Sequence, residues 1–376
     1  MNRFVYLDNN ATTKCDNSVV EVMLPYIKEQ FANPSSLYSV GKEVKKQITK
    51  ARKTIAKMLN AEKEEVIFTS GASESNVSAI MNAVRLFPNK KHIITTSVEH
   101  ASIMETMKYL EDCGYDITYL SVDDKGRLNL NELKSSINEN TLLIAVMMAN
   151  NELGNIYPIK EIGAIAKENN ILFHCDAVQA VGKTKIDVKD LNITTLSLSG
   201  HKIHAPKGIG ALYVNKNIQY TALIFGHQES NRRGGTENVA GIVALGKACE
   251  NILIEGYQDN NIKKLRDLME YKITEKIKNV KIYGDTKNRL ANTSSIAFKG
   301  VNAQELMFML ESQGVYVSTG SACNSESAEP SHVLTACSAN LEEFSPIRIS
   351  LSKHTTEEDI DYFVECLVKN VEKLKQ

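Results

Sequence analysis

The sequence predicts an α/β protein: a large domain on a mainly parallel sheet covered by helices on both faces, followed by a smaller second domain. Three observations carry this. Between residues 65 and 215, short β-branched runs alternate with longer amphipathic stretches. Several of those runs, 66–69, 142–148 and 210–214 among them, are apolar at nearly every position, as in strands buried on both faces. And 376 residues are more than one small module needs, so a second domain is expected.

Taken in order, 66–69 reads as a strand, and a helix opens after Gly71. A strand at 92–96, a helix at 101–112 and a strand at 117–122 follow, then strands at 142–148, 171–175, 195–199 and 210–214, with a helix at 159–168. Past Gly256 the character changes: the polar stretch 260–271 predicts a long exposed helix leading into the second domain. Thr355-Thr356-Glu357-Glu358 has a capping-box pattern, and Ile360, Phe363, Val364, Leu367, Val371 and Leu374 follow at helical spacing. That last helix is packing. In an open parallel sheet the active site gathers at the carboxyl ends of the strands.

Composition narrows the function. With 44 Lys+Arg against 45 Asp+Glu the net charge is −1, which gives no global attraction to nucleic acid or anionic membrane. At 43% hydrophobic and 24% charged, with 20 glycines and 7 prolines, collagen-like and disordered readings fall away. The longest apolar run, 142–149, suits a strand and not a membrane span. Near the N-terminus the apolar stretch meets Asp8 too early for a signal peptide. Seven scattered cysteines without a C-x-x-C argue against a disulfide framework or structural zinc. A cytoplasmic, reduced protein without a metal is expected.

G-x-G-x-x-G, H-E-x-x-H and G-x-S-x-G are all absent, and Gly182-Lys183-Thr184 lacks the first glycine of a P-loop. Three polar segments at strand ends remain. Thr69-Ser70-Gly71-Ala72-Ser73-Glu74 offers backbone N–H groups and a hydroxyl to an anion at a helix start, or is a plain N-cap. His174-Cys175-Asp176 ends an apolar strand with His174 and Asp176 on one face, a carboxylate that needs a partner. Ser199-Gly200-His201-Lys202 ends another, where a desolvated lysine is a candidate imine-forming amine and an exposed loop lysine is the plainer alternative. A phosphate cradle, a carboxylate and an activated lysine are together what pyridoxal 5'-phosphate requires.

The ordered motifs resemble those of cysteine desulfurases of the NifS/IscS type, within the class V aminotransferase group. They run from Tyr6-Leu-Asp-Asn-Asn-Ala-Thr-Thr13 and Asn33-Pro-Ser-Ser36 through 69–76, Val98-Glu-His100 and Asn150-Asn-Glu152 to the Asp176 and Lys202 segments. Arg232-Arg-Gly-Gly-Thr-Glu-Asn238, Gly320-Ser-Ala-Cys323, Glu329-Pro330 and Ile347-Arg-Ile-Ser-Leu351 continue them, so the likeness spans nearly the whole chain. It implies the type I pyridoxal-phosphate fold: a large domain over 14–255 with a mainly parallel seven-stranded sheet. A smaller α+β domain would take in 1–13 and 256–376 and carry the catalytic cysteine loop at about 318–336.

The resemblance also implies roles. Lys202 would hold pyridoxal phosphate as a Schiff base, Asp176 would pair with the ring nitrogen and Gln179 with the ring phenolate. His100 would stack on the ring and move protons. Ala72, Ser73, Ser199 and His201 would hold the phosphate, joined by Thr236 from the neighbouring subunit of a homodimer. Asn151 and Arg348 would fix the substrate carboxylate. Cys323, among small and polar residues, would take sulfur from L-cysteine as a persulfide, release alanine, and pass the sulfur to a protein acceptor such as an iron–sulfur scaffold or a tRNA-thiolation enzyme. No direct nucleic-acid contact is implied.

Some positions depart from the family pattern. Ser73 stands for a usual Thr, Ala205 for a Gly, Met148-Ala149 for His-Val, and the 226–230 and 233–235 segments differ. None removes a proposed catalytic group. Three other readings stay open at this point: a selenocysteine lyase, an aminotransferase of the same group, and a silent iron–sulfur assembly scaffold.

Overall fold

The computed structural model describes residues 3–257, 260–319 and 331–375. Twelve strands occur among them: β1 (Val5–Tyr6), β2 (Val66–Thr69), β3 (His92–Thr96), β4 (Asp116–Leu120), β5 (Thr141–Ala145), β6 (Leu172–Asp176), β7 (Thr195–Ser199), β8 (Gly210–Val214), β9 (Val280–Tyr283), β10 (Thr293–Phe298), β11 (Val315–Tyr316) and β12 (Pro346–Ser350).

Seven of them form the central sheet in the order β2-β8-β7-β6-β5-β3-β4. Every pairing is parallel except those of β8, which runs antiparallel to both β2 and β7. The expected strands are all present, within a few residues of their expected bounds. Burial is continuous along β2, β3, β5, β7 and β8, as in a sheet covered on both faces, and it includes β7, whose Thr-Leu-Ser-Leu-Ser alternates in polarity. Since β2, β7, β6, β5 and β3 all run the same way, the segments that follow them emerge on one edge. That edge receives Gly71, Lys202, Asp176, Asn151 and His100.

The helix Ala72–Leu86 packs across β7, β8 and β6. On another side, Ser39–Leu59 lies against Val239–Glu255 closely enough that a Cβ on Gly246 would stand 2.5 Å from the Ala51 Cβ. A second core collects Val5 and Leu7 with residues from Ile262 to Val371. There the antiparallel sheet β12-β10-β9 and the parallel pair β1-β11 are covered by the helices Asn260–Lys276 and Glu357–Leu374.

Two local expectations are corrected. The helix from Asn260 is not simply exposed, because Met269 and Ile273 are fully buried in the second core. Its apolar residues are spaced among many charges, so composition hid the stripe. The final helix is capped one residue later than expected: Thr356 accepts from the Asp359 N–H and the Asp359 carboxylate takes the Thr356 N–H. Aspartate closes this box where glutamate was expected.

Candidate active site

The helix Ala72–Leu86 begins without a side-chain cap, since Gly71 supplies none. Its first-turn N–H groups and the exposed Ser73 hydroxyl are therefore open to an anion. A Cβ on Gly210 of β8 would come within 2.8 Å of the Gly71 Cα, so only glycine lets the strand pass beneath this turn. Glu74 holds the Arg233 guanidinium (2.9 Å) and the Ser70 N–H (2.8 Å), tying the loop that contains the exposed Thr236 to the same corner.

At the end of β6, the Asp176 carboxylate is 5% exposed. Oδ1 accepts from the Val178 N–H at 3.0 Å, and Oδ2 accepts from the Asn76 amide at 2.8 Å. His174, on the same face, lies between Thr195 and Asn76, and burial pushes its pKa down to about 4. It is a neutral structural partner at physiological pH. Gln179 donates to the Asn10 carbonyl at 3.0 Å.

After β7 a single turn, Gly200–Lys202, presents the next groups. Ser199 is buried, and the His201 ring meets the Thr12 hydroxyl at 3.2 Å. Burial, with Lys202 second, pushes the His201 pKa down to about 4, so it too is neutral. The Lys202 amine donates to the carbonyls of Asn10 and Ala11. The motif at 6–13 thus holds the lysine by its backbone, work its side chains did not advertise.

His100 caps the helix Ala101–Asp112: its Nδ1 accepts from the Ser102 N–H at 3.1 Å. Next to β5, Asn150 pins its own turn, accepting from the N–H groups of Glu152 and Leu153. The Asn151 carbonyl accepts from Arg348 at 3.2 Å and from Asn10 at 3.1 Å. Arg348, on β12, also donates to Asp8 Oδ1 at 2.7 Å.

Cys323 lies outside the described residues. The chain on either side of its segment is anchored at this site: Ser318 and Arg348 exchange backbone hydrogen bonds, and the Ser331 hydroxyl donates to Glu152 at 2.5 Å. His332 reaches the carbonyl of Glu99, next to His100, at 2.9 Å. Glu99 is fully buried, and its pKa is pushed up to about 8 by desolvation.

The strand-edge geometry brings Ala72, Ser73, His100, Asn151, Asp176, Gln179, Ser199, His201, Lys202 and Arg348 to one side of the sheet. Sequence reasoning assigned no role to Asp8, Asn10, Asn76, Ser102, Glu152 or Lys183. Asn76 had a signal: it is a polar residue on the helix face that also carries Ala79, Ile80 and Ala83. Asp8 lies 340 residues from its partner, and no local pattern links the two.

Lys183 donates to the Gln179 carbonyl at 2.9 Å, and its pKa is pushed down to about 7, first by burial and then by Lys202. The unfolded chain keeps its proton up to the ordinary value of 10.5, so this lysine lowers stability progressively as pH falls from 10.5 toward 7. The full gap is worth about 4–5 kcal/mol, and about 2 kcal/mol is expected because solvent reaches part of the side chain. A Lys183→Met variant lacks that penalty but forfeits about 1 kcal/mol of hydrogen bonding. In urea melts of the apoprotein it should be the more stable form at pH 7 and the less stable at pH 10.

Asp16, His204 and His354 also bring ligand atoms within 4.8 Å of one another. The Lys353 ammonium sits 2.7 Å from Asp16 and 3.1 Å from Glu255, so the cluster works as an ion-paired tie between segments distant in sequence. Among the described residues no helix is long and apolar enough to cross a membrane.

The sequence profile of class-V aminotransferases matches residues 5–363. The chain belongs to the class-V aminotransferase family. It is 48% identical to "Cysteine desulfurase IscS" of Methanosarcina thermophila, over 100% of this chain and 93% of the relative. A solved NifS-like protein superposes with a TM-score of 0.92 at 36% identity, over 99% of this chain and all of the other. The structure titled "SspA in complex with cysteine" gives 0.83 at 38% identity, over 94% of this chain and all of that one. Family members are pyridoxal-phosphate enzymes, and the donor set here fits that cofactor. An uncapped helix start beside an exposed hydroxyl suits the phosphate, a buried carboxylate suits a protonated ring nitrogen, and a lysine amine suits the aldehyde.

Proposed function

We propose that this chain is an L-cysteine desulfurase, working as a homodimer and passing sulfur to a protein acceptor in the cytoplasm. The observation that carries it is one strand edge with the Lys202 amine, the Asp176 carboxylate and an open helix N-terminus, faced by Arg348 from the second core. The full-length likeness to cysteine desulfurases and the cysteine-bound neighbour support the substrate.

Bound pyridoxal phosphate supplies an electron sink for the negative charge that develops on the substrate's carbon skeleton. In this reading Lys202 holds the cofactor, Asp176 keeps its ring nitrogen protonated, and Gln179 meets the ring oxygen. Ala72, Ser73, Ser199 and His201 grip the phosphate, with Thr236 from the second subunit. Arg348 receives the substrate carboxylate in its planar fork, helped by Asn151. Lys202 and His100 hold and move the protons.

The Cys323 thiolate attacks the substrate's sulfur. An S–S bond forms as the C–S bond breaks, the C–S electron pair stays with carbon, and that carbon leaves as alanine after protonation. Exposed large apolar side chains crowd 24–40 (Leu24, Ile27, Phe31, Leu37, Tyr38, Val40), as a subunit contact requires. An iron–sulfur scaffold or a tRNA-thiolation enzyme fits the acceptor's role.

The test is sulfide and alanine release from L-cysteine with a reductant, for wild type and Cys323→Ala. Equal amounts of both products are expected from wild type, with sulfide release lost in a variant that still binds cofactor. A variant as fast as wild type would hand the reading to a lyase or aminotransferase that needs no cysteine.

A further inference from the structure

A continuous polar chain joins Asp176 to His100 beneath the candidate cofactor site. Its centre is Asn76, fully buried on the helix Ala72–Leu86. The Asn76 amide nitrogen spends its two protons on Asp176 Oδ2 (2.8 Å) and Ser102 Oγ (2.9 Å). Its oxygen faces the His174 Nε2 at 2.9 Å. Only one orientation of the amide works: turned over, its oxygen would meet the Asp176 carboxylate and two acceptors would be forced together. The Asp176 charge therefore sets the amide, and the amide sets His174 as a donor through Nε2.

The direction then passes outward. Ser102 Oγ accepts from Asn76, so its single proton is left for His100 Nδ1 at 2.9 Å. The Ser102 backbone N–H points at the same nitrogen from 3.1 Å. With two donors aimed at it, Nδ1 is the unprotonated nitrogen, and a neutral His100 carries its proton on Nε2. His100 opens on a hollow that it shares with Ser73, the exposed hydroxyl at the helix start.

We propose that Asn76 and Ser102 are positioning residues that transmit the orientation of the Asp176 carboxylate to His100 and hold its ring as the Nε2–H tautomer. The ring nitrogen partner and the proton-carrying imidazole are thereby one unit. A plain helix cap accounts for the Ser102 N–H bond, but not for a buried amide that spends both donors on Asp176 and Ser102. The inference rests on the desulfurase reading only for the work assigned to His100.

The test is the tautomer itself, by NMR of holoenzyme labelled with ¹⁵N-histidine, with His100 assigned by difference from His100→Asn. Wild type is expected to show a protonated Nε2 and a bare Nδ1. Ser102→Ala and Asn76→Leu are expected to shift that pattern toward a mixture. Sulfide turnover should fall roughly 10–100-fold, short of the ~10⁴ seen where a tautomer is wholly lost, because the Ser102 N–H remains. Ser102→Thr, which keeps the hydroxyl, should restore both readouts. Should Asn76→Leu fail to fold, wild type and Ser102→Ala decide the matter. A wild-type His100 with its proton on Nδ1, or a Ser102→Ala protein with unchanged tautomer and turnover, would overturn the proposal. An Nε2–H tautomer in a protein that releases no sulfide would sink the desulfurase reading and leave the relay standing.

Discussion

Lys202→Ala protein should bind pyridoxal phosphate without the yellow colour of a lysine-linked cofactor and release sulfide about a thousandfold more slowly, or not at all. The amine has no substitute in place. Lys183 comes nearest in chemistry, but its proton donors serve Gln179, and Gln179 in turn is held on the Asn10 carbonyl. Arginine at 202 would not rescue, since a guanidinium stays protonated and forms no imine. The variant should fold, because Lys202 is only partly buried and the Asn10 carbonyl it leaves keeps the Gln179 amide as a donor. Absorbance of the loaded protein and single-turnover sulfide release check the claim together. A yellow, active Lys202→Ala enzyme would remove this lysine from the proposed mechanism.

Arg348→Gln should raise the KM for cysteine by about 100-fold, the worth of charge-assisted hydrogen bonds to a carboxylate. It should also cost about 3 kcal/mol of stability, because Arg348 and Asp8 form a pair whose side chains are 3% and 17% exposed. The two losses can be separated. Pairing Arg348→Gln with Asp8→Asn removes the stranded carboxylate, so most of the stability should return while the KM stays high. Melts and initial rates on the two single variants and the double variant form the cycle. A double variant that regains affinity for cysteine would show that Arg348 serves Asp8 and not the substrate.

The split between legible and hidden features follows the range of the forces involved. Strands β2, β5, β6 and β8 could be read because continuous apolar runs have few other ways to satisfy both backbone and side chains. Asp176 and Lys202 could be read because a charged side chain directly after such a run is costly without a purpose. The helix Asn260–Lys276 reads as exposed because its buried Met269 and Ile273 are diluted among lysines and glutamates. The cap at Thr356 was displaced by one residue because Thr355 and Thr356 offer the same hydroxyl, and only the approach of the Asp359 N–H chooses between them.

By itself the sequence determined the α/β architecture, the strand edge on which the chemistry sits, and the residues whose motifs mark the family. These are local patterns, written in periodicity and in polar groups at strand ends. The tertiary structure alone decided which partners those residues have: Asp8 on Arg348, the carbonyls of Asn10 and Ala11 on Lys202, and Asn76 between Asp176 and Ser102. Such pairs lie as far as 340 residues apart, and their worth comes from burial. Burial makes an unpaired donor or carboxylate expensive, and it exists only once the sheet, its covering helix and the second core have closed around the site.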